Sequence, residues 1–485
     1  MRFKLSRSLD RLNVLVALPT LMNRRFDWTN SFLSCALFCL GLIVLVLMLC
    51  SPTRAQNFDT VSDMKAWLAE TQHQGTLAPG TVITTQNWQQ YKEFMPPGMQ
   101  QMFAGSLYWK VPPDARMTID PPRPMPVSKY YLQATEQFGN QTRVVHTANG
   151  HYALANYIAG LPFLNPQEPE KGYKFLADNW FAYIPNLYVN TPENAAKFCV
   201  EDRYSNINCT LLDFVYRQEG YETDPGVPRD LPEAPSVFYT EYNEVLAPEQ
   251  SRYTAQLTLF YKDYENWQDS YVFVPALRRS LRLSTSARCS PTAGSDLIQD
   301  DAKANGMNGG LSLFQAKYLG RRKVLRFNTT TNSALKVGIL GELPGAYLAP
   351  TMWPKPEWSH FQLTDAEIID VRRVPSEAAG YCYGARIMFL DPNSYYHVWT
   401  ELYDSNLKLW KLLLPILRVD DLPIIGTTIT NEGAFLLWDV QNAHFTLATS
   451  DGGIGRGAVF NQNAPAEYHD YRRFCTPGGL MQILR

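Results

Sequence analysis

Tyr253-Thr254-Ala255-Gln256-Leu257-Thr258-Leu259-Phe260-Tyr261 sets the apolar Ala255, Leu257 and Leu259 against the polar Thr254, Gln256 and Thr258. That is the period of a half-buried strand, whose successive side chains point to opposite faces. Lys262-Asp263-Tyr264-Glu265-Asn266 reads as a turn, and residues 271–274 answer as a second strand. The same texture returns at 367–374, 386–390, 395–403 and 407–414. Asp391-Pro392-Asn393 and Asp404-Ser405-Asn406 lie between the last three, with side chains that favour tight turns. Consecutive short strands joined this way predict an antiparallel meander.

Upstream the texture changes. Residues 56–104 read as mostly helical: Met64, Trp67 and Leu68 sit at helical spacing, and Thr85-Gln86-Asn87-Trp88 opens a second amphipathic stretch through Tyr91 and Phe94. Met95-Pro96-Pro97-Gly98 breaks it, and the prolines at 112–113 and 121–124 make a stiff, extended connection. Residues 162–235, rich in Pro, Asn and aromatics without clean periodicity, are expected to be long loops and short strands laid over the fold. The class expected is α+β: one curved antiparallel sheet with covering helices, mostly N-terminal. The chain divides into 1–55, a helical and proline-rich part over 56–130, and a β-rich body over 131–485.

Composition bounds the function. The chain has 485 residues, 44 Lys+Arg against 46 Asp+Glu, 45% hydrophobic residues, and 24 Phe, 27 Tyr and 11 Trp. Such a chain can offset its ordering entropy by burial, so disorder is excluded. A nucleic-acid partner is disfavoured, because it would require a basic excess. The charge is uneven, however. Residues 1–55 carry seven bases and two acids, a surplus of five, so the remainder must carry −7 to give the formal −2.

That basic head precedes an uncharged run from Trp28 to Thr53, the pattern of an export signal or a membrane anchor. Residues 31–50 are long enough to span a bilayer. Thr53-Arg54-Ala55 places small residues at the −3 and −1 positions for cleavage between Ala55 and Gln56. The expectation is a cleaved signal peptide, with a retained anchor as the alternative and Met22-Asn23-Arg24-Arg25 as a more ordinary start. Export implies an oxidising compartment. Of the eight cysteines, five lie beyond the leader: Cys199, Cys209, Cys289, Cys382 and Cys475. Cys199 and Cys209 are a disulfide candidate worth about 3 kcal/mol, against the alternative that both are buried thiols. One of the five must stay unpaired.

Motifs for chemistry are sparse. No HExxH, Walker A, GxSxG or CxxC occurs, the seven His are scattered singly, and Gly453-Ile454-Gly455-Arg456-Gly457-Ala458 lies too near the end for a βαβ unit. No catalytic residue, metal site or cofactor is expected from the sequence. Arg278, Arg279 and Arg282 with Asp296, Asp300 and Asp301 admit three readings: a salt-bridge network locking a strand to the following loop, a headgroup- or partner-binding cluster, or a cation site.

Several stretches resemble a known family. They are Asn156-Tyr157-Ile158-Ala159-Gly160-Leu161-Pro162-Phe163; Tyr271-Val272-Phe273-Val274-Pro275-Ala276-Leu277-Arg278-Arg279; Gly294-Ser295-Asp296 with Asp300-Asp301; and 381–410, ending in Asp404-Ser405-Asn406-Leu407-Lys408-Leu409-Trp410. They are similar to a bacterial family of exported proteins labelled outer-membrane lipoprotein-sorting proteins, a domain of unknown function with a LolA/LolB-like fold. The resemblance covers most of the chain beyond the leader, and 162–235 matches it poorly. It implies a half-barrel capped by helices around an apolar cavity. It further implies a non-enzymatic periplasmic carrier or chaperone for a lipid, a lipidated protein or another hydrophobic small molecule, associated with an RND-type transporter or an outer-membrane partner. The alternatives are an envelope lipid-modifying hydrolase, because a triad need not be local in sequence, and a structural envelope protein. Fold analogy alone does not establish function.

Overall fold

Two antiparallel meanders meet at a seam. The computed structural model describes residues 58–483 except 71–74, 264, 285–287, 293, 302, 304–305, 329–347 and 450–457. The leader, with its Ala55/Gln56 cleavage, and most of the glycine-rich 453–458 loop lie outside the described residues.

The first meander comprises β1 (Ala196–Glu201), β2 (Ile207–Gln218), β3 (Val237–Ala247), β4 (Ala255–Tyr261), β5 (Asp269–Val274) and β6 (Arg279–Arg282), each paired with the next. The second comprises β7 (Phe314–Phe327), β8 (His360–Arg373), β9 (Tyr383–Leu390), β10 (His397–Asp404), β11 (Leu409–Leu422), β12 (Thr427–Asp439) and β13 (His444–Thr449), paired likewise. β13 pairs with β1, in register Thr446 to Val200, and fuses the two. The order of these thirteen strands is therefore 6-5-4-3-2-1-13-12-11-10-9-8-7, and the short strands Val82–Thr84, Arg116–Ile119, Leu187–Asn190 and Val459–Phe460 join the same sheet. Among the described residues no ladder joins β6 to β7, so the sheet is open.

The hairpins form where alternation and turn chemistry agree. Asp391 Oδ1 accepts from the amides of Asn393 and Ser394, and Asp404 Oδ1 accepts from those of Asn406 and Lys408. Each aspartate thereby supplies the backbone of its turn with a local partner. The strands expected at 253–261 and 407–414 run over Ala255–Tyr261 and Leu409–Leu422.

Residues 162–235 contain the loops and short strands expected there, among them Leu187–Asn190, and longer elements besides. They contain a ten-residue helix, the strand β1 that makes the seam, and the twelve-residue β2. The helix, Lys171–Trp180, buries eight of its ten residues, so it lacks the polar stripe that marks a surface helix. Gly172 lets it touch β7, because a Cβ there would overlap the backbone of Ala316 and Tyr318.

Both faces of the sheet are covered, by different parts of the chain. Helix α1 (Ser62–Glu70) buries Met64 and Trp67, and α2 (Pro97–Phe103), with Pro at its first position, buries Met99, Met102 and Phe103. They pack on one face of the second meander: Trp67 meets Phe389 at 5.9 Å between ring centroids, and the Gly98 amide donates to buried Glu401 at 2.6 Å. On the first meander the equivalent face, with Val215, Tyr242, Leu257 and Phe273, is covered by Tyr468, Phe474, Cys475 and Leu480 from the C-terminal end. The opposite, inner face is crossed by the described residues of the connection from β6 to β7, which lies between 283 and 313.

Candidate functional site

The connection 283–313 is a strap fastened by buried charge. Asp300 is fully buried and receives hydrogen bonds from Arg288, from Arg373 of β8 (3.0 Å) and from the Tyr381 hydroxyl (2.6 Å). Burial pushes its carboxyl up, but the Arg288 and Arg373 guanidiniums more than offset this and hold it below the ordinary value. Asp301 accepts from Arg386 of β9 (2.5 Å), from the Tyr383 hydroxyl (2.7 Å) and from the Ile298 amide (3.1 Å). Asp296 accepts from Thr446 of β13 (3.0 Å), lies 3.4 Å from His444, and offers its carbonyl to Lys411 of β11 (2.5 Å). Burial, and next the Asp439 carboxylate, raise the Asp296 carboxyl. A disulfide from Cys289 to Cys382 ties the strap to the β8–β9 connection.

The strap also shows how strongly the sheet bends. Arg288 bonds Gln268, just before β5, and lies over the Trp267 ring at 5.1 Å; Arg373, in the other meander, lies over the same ring at 5.7 Å. His151 similarly lies between Glu265 of the β4–β5 turn (3.7 Å) and Glu377 after β8 (3.6 Å). Strands ten places apart in the sheet order thus face one another across the strap.

Of the five residues singled out for ligand or partner binding, Asp296, Asp300 and Asp301 sit together on the strap. Arg278 and Arg279 do not join them: both are exposed at the β5–β6 hairpin, and Arg282 pairs with Asp269 beside it. Arg288, Arg373 and Arg386 take their place. Arg386 carries a sequence signal, a charge within a strand that is otherwise apolar from Ala385 to Leu390; Arg288 and Arg373 carry none. Cys199 and Cys209, opposite one another on β1 and β2, are bridged, and Cys475 is a buried thiol.

Where the strap leaves the inner face of the first meander, a cavity of about 260 Å³ remains. Its walls follow the strand period: Leu212 and Phe214 on β2, Val245 on β3, Phe198 on β1 and Phe435 on β12 face Leu297 of the strap. Two carboxyls and one amine share the lining. Burial pushes the Glu241 carboxyl up to about 8, with Lys303 opposing, and lowers Lys303 to about 7, with Glu241 opposing. The Lys303 ammonium donates to the Trp180 carbonyl at 2.8 Å and lies 4.4 Å from the centre of that ring. Burial likewise raises Glu432, whose carboxyl meets His397 at 3.0 Å; burial holds His397 down to about 3. Burial thus favours the uncharged form of all three groups, so the lining tends toward neutrality.

Thr400, His397 and Glu432 are bonded in series, with 2.9 Å from His397 to the hydroxyl. The member that lines the cavity is the carboxyl, and Thr400 is buried at the far end. A nucleophilic triad needs the reverse order, with the hydroxyl facing substrate. Among the described residues, no three His, Cys, Asp or Glu side chains lie close enough to hold a metal ion.

The family described as "Protein of unknown function (DUF1329)" matches residues 82–479, a span that includes 162–235. No curated protein matches the chain. Solved structures similar to it include a DUF1329 family protein from Desulfovibrio piger (12% identity, TM-score 0.42, covering 64% of this chain and 100% of that one). A second is described as an outer membrane lipoprotein-sorting protein domain from Vibrio parahaemolyticus (13%, 0.41, 62% and 97%). A third is a LolA superfamily protein from Nitrosomonas europaea (9%, 0.30, 60% and 92%).

Proposed function

The chain belongs to the DUF1329 family, and from that premise we propose that it is an envelope carrier that shelters a hydrophobic molecule, or the acyl part of a lipid or lipidated protein, beneath its strap. The observation that carries this reading is the cavity between the first meander and Leu297. Its volume of about 260 Å³ exceeds the ~150 Å³ of a dry engineered cavity that takes up benzene. It falls short of a whole-ligand pocket of roughly 300–1,000 Å³, so a segment of chain suits it better than an entire lipid. Each methylene sheltered there removes roughly 0.8 kcal/mol of unfavourable hydration, and a near-neutral lining avoids burying charge against the cargo.

Two disulfides in one chain suit an oxidising compartment, which supports export to the periplasm by the basic leader. Delivery to an RND-type transporter or an outer-membrane acceptor belongs to the same reading. Native mass spectrometry, and organic extraction of protein purified without detergent, test it. The expected result is a hydrophobic species near one per chain; an empty protein that also fails to take up fluorescent lipid analogues overturns it.

A further inference from the structure

The β5–β6 hairpin takes no part in the strap or the cargo lining beyond Val272, yet its tip is unlike the rest of the surface. Pro275–Leu277 forms a single turn, and Arg278 follows in the left-handed region at φ 49°. A side chain rarely adopts that conformation unless the surroundings impose it. Here it sets Leu277, Arg278 and Arg279 side by side in solvent, with Arg282 and Leu283 at the other end of β6. Leu277 is 50% exposed and Leu283 40%. Arg282 is paired with Asp269, but among the described residues neither Arg278 nor Arg279 makes an ion pair.

The charge pattern is local. Between Asp269 and Asp296 the chain contains no acidic residue, although everything after residue 55 sums to −7. An acidic body is repelled by a negatively charged surface, except where a basic element leads. β6 is also an edge of the sheet, and charged side chains on an edge strand guard against strand addition. That accounts for the arginines but not for two leucines left in water beside them.

We propose that the edge formed by β6, from Leu277 at the hairpin tip to Leu283 at its base, docks this protein on an anionic phospholipid surface, the arginines on phosphate groups and the two leucines at headgroup depth. Arginine matches phosphate through its planar fork of donors. Leucines beside basic residues are the composition of interfacial anchors. β5 connects the two functions, because Val272 lines the cavity and Pro275 begins the tip. Docking therefore sets a cavity-wall strand against the membrane. The inference stands without the carrier reading, since an empty protein could still dock.

Flotation with vesicles tests it, using the purified protein, phosphatidylcholine vesicles with or without about one quarter phosphatidylglycerol, and about 0.1 M salt. Binding is expected only to the anionic vesicles. Each arginine near such a surface is worth roughly fivefold, so R278E/R279E should lose at least about 25-fold. L277S/L283S should weaken binding while keeping its salt dependence. R252E, on the β3–β4 connection, serves as a charge control and should bind as the parent does. All four side chains are exposed, so melting temperatures should stay unchanged. Equal binding to both vesicle types, no binding to either, or binding indifferent to R278E/R279E overturns the proposal. Loss of contact with an envelope protein in R278E/R279E without any vesicle binding does so too, and points to a protein partner. Cargo content is measured separately, which keeps this failure distinct from failure of the carrier reading.

Discussion

The two meanders share one sheet and use its inner face in opposite ways. In β7–β13 that face is filled, over β7 and β8 by the helix Lys171–Trp180 and beyond them by the strap: Phe175 stacks on Tyr318, Asp301 meets Arg386, Ile298 packs with Tyr383 and Leu402, and Leu297 with Leu413 and Leu437. In β1–β6 the same face presents Leu212, Phe214 and Val245 to open space. Their opposite faces are equally well covered, so strand composition does not make one half solid and the other hollow. The strap's anchors decide it. Asp296, Asp300 and Asp301 find their basic and hydroxyl partners mainly in the second meander, which leaves the first with a wall and no filling.

The sharpest way to break this contrast is to unfasten the strap. Arg386→Ala leaves Asp301 buried without its cation, and removing one partner of a buried pair costs about 3–5 kcal/mol. Denaturant unfolding measures it, and a loss below about 1 kcal/mol would mean that the strap is held by packing alone. Of the same size is the Cys289–Cys382 bridge, which closes 93 residues, against the 10 closed by Cys199–Cys209. Loop-closure entropy predicts a loss of up to roughly 4–5 kcal/mol for the long bridge and roughly 3 for the short one. Cys289→Ser/Cys382→Ser should also loosen cargo retention, because it frees the strap, whereas Cys199→Ser/Cys209→Ser should leave retention intact. Equal effects of the two pairs on retention would remove the strap from the account.

Where local chemistry is repeated, the fold is legible in sequence. β4 alternates, and Asp391 and Asp404 announce their turns, so the hairpin turns within 367–414 emerge in place, although β8 begins already at His360 and β11 runs on to Leu422. The helix at Lys171–Trp180 does not, because an element buried nearly all round loses the polar stripe by which it would be recognised; β1 and β2 do not, because Ala196-Lys197-Phe198-Cys199-Val200-Glu201 and Leu211-Leu212-Asp213-Phe214-Val215-Tyr216 do not alternate cleanly. The strap's aspartates stand out as a cluster, but two of their partners, Arg373 and Arg386, lie 73 and 85 residues away along the chain. No local pattern reports such a pairing, and none distinguishes Arg288, the partner of Asp300 that lies 12 residues away, from Arg278 and Arg279. The cavity is invisible for a simpler reason: Leu212-Asp213-Phe214 reads the same whether its inner face meets side chains or nothing.

The two halves should also differ in their response to pH. Glu241, in the hollow half, ionises near 4.5 when unfolded and near 8 when folded. Its contribution to stability is therefore present below 4.5 and lost as pH rises to 8. Glu241→Gln should leave the melting temperature at pH 4.5 unchanged and raise it at pH 8 by up to roughly 10 °C, at about 1.4 kcal/mol per pH unit and roughly 2–4 °C per kcal/mol. His397, on β10 in the filled half, is held near 3 against 6.5 unfolded. Its contribution is present above 6.5 and lost as pH falls toward 3. Thermal scans at both ends should place acid sensitivity with His397 and alkaline sensitivity with Glu241. A Glu241→Gln profile parallel to the parent's would mean that water reaches that carboxyl.

The smallest effect should come from trimming the cavity wall itself. Leu412 and Leu212 are both buried leucines on inner strands, at 0% and 4% exposure. Leu412 presses on α2, where it would collide with any Cβ at position 98. Removing it forfeits both the transfer energy and the contacts around a new void, about 2–5 kcal/mol. Leu212 already faces empty space, so it has fewer partner atoms to lose, and Leu212→Ala should cost roughly 1–2 kcal/mol, below the usual core range. The comparison sharpens when it is repeated on protein that retains its cargo. Cargo supplies the missing contacts, so Leu212→Ala should then cost more than in the empty protein, while Leu412→Ala should cost the same in both. A Leu212→Ala cost that does not change with occupancy would place the cargo elsewhere.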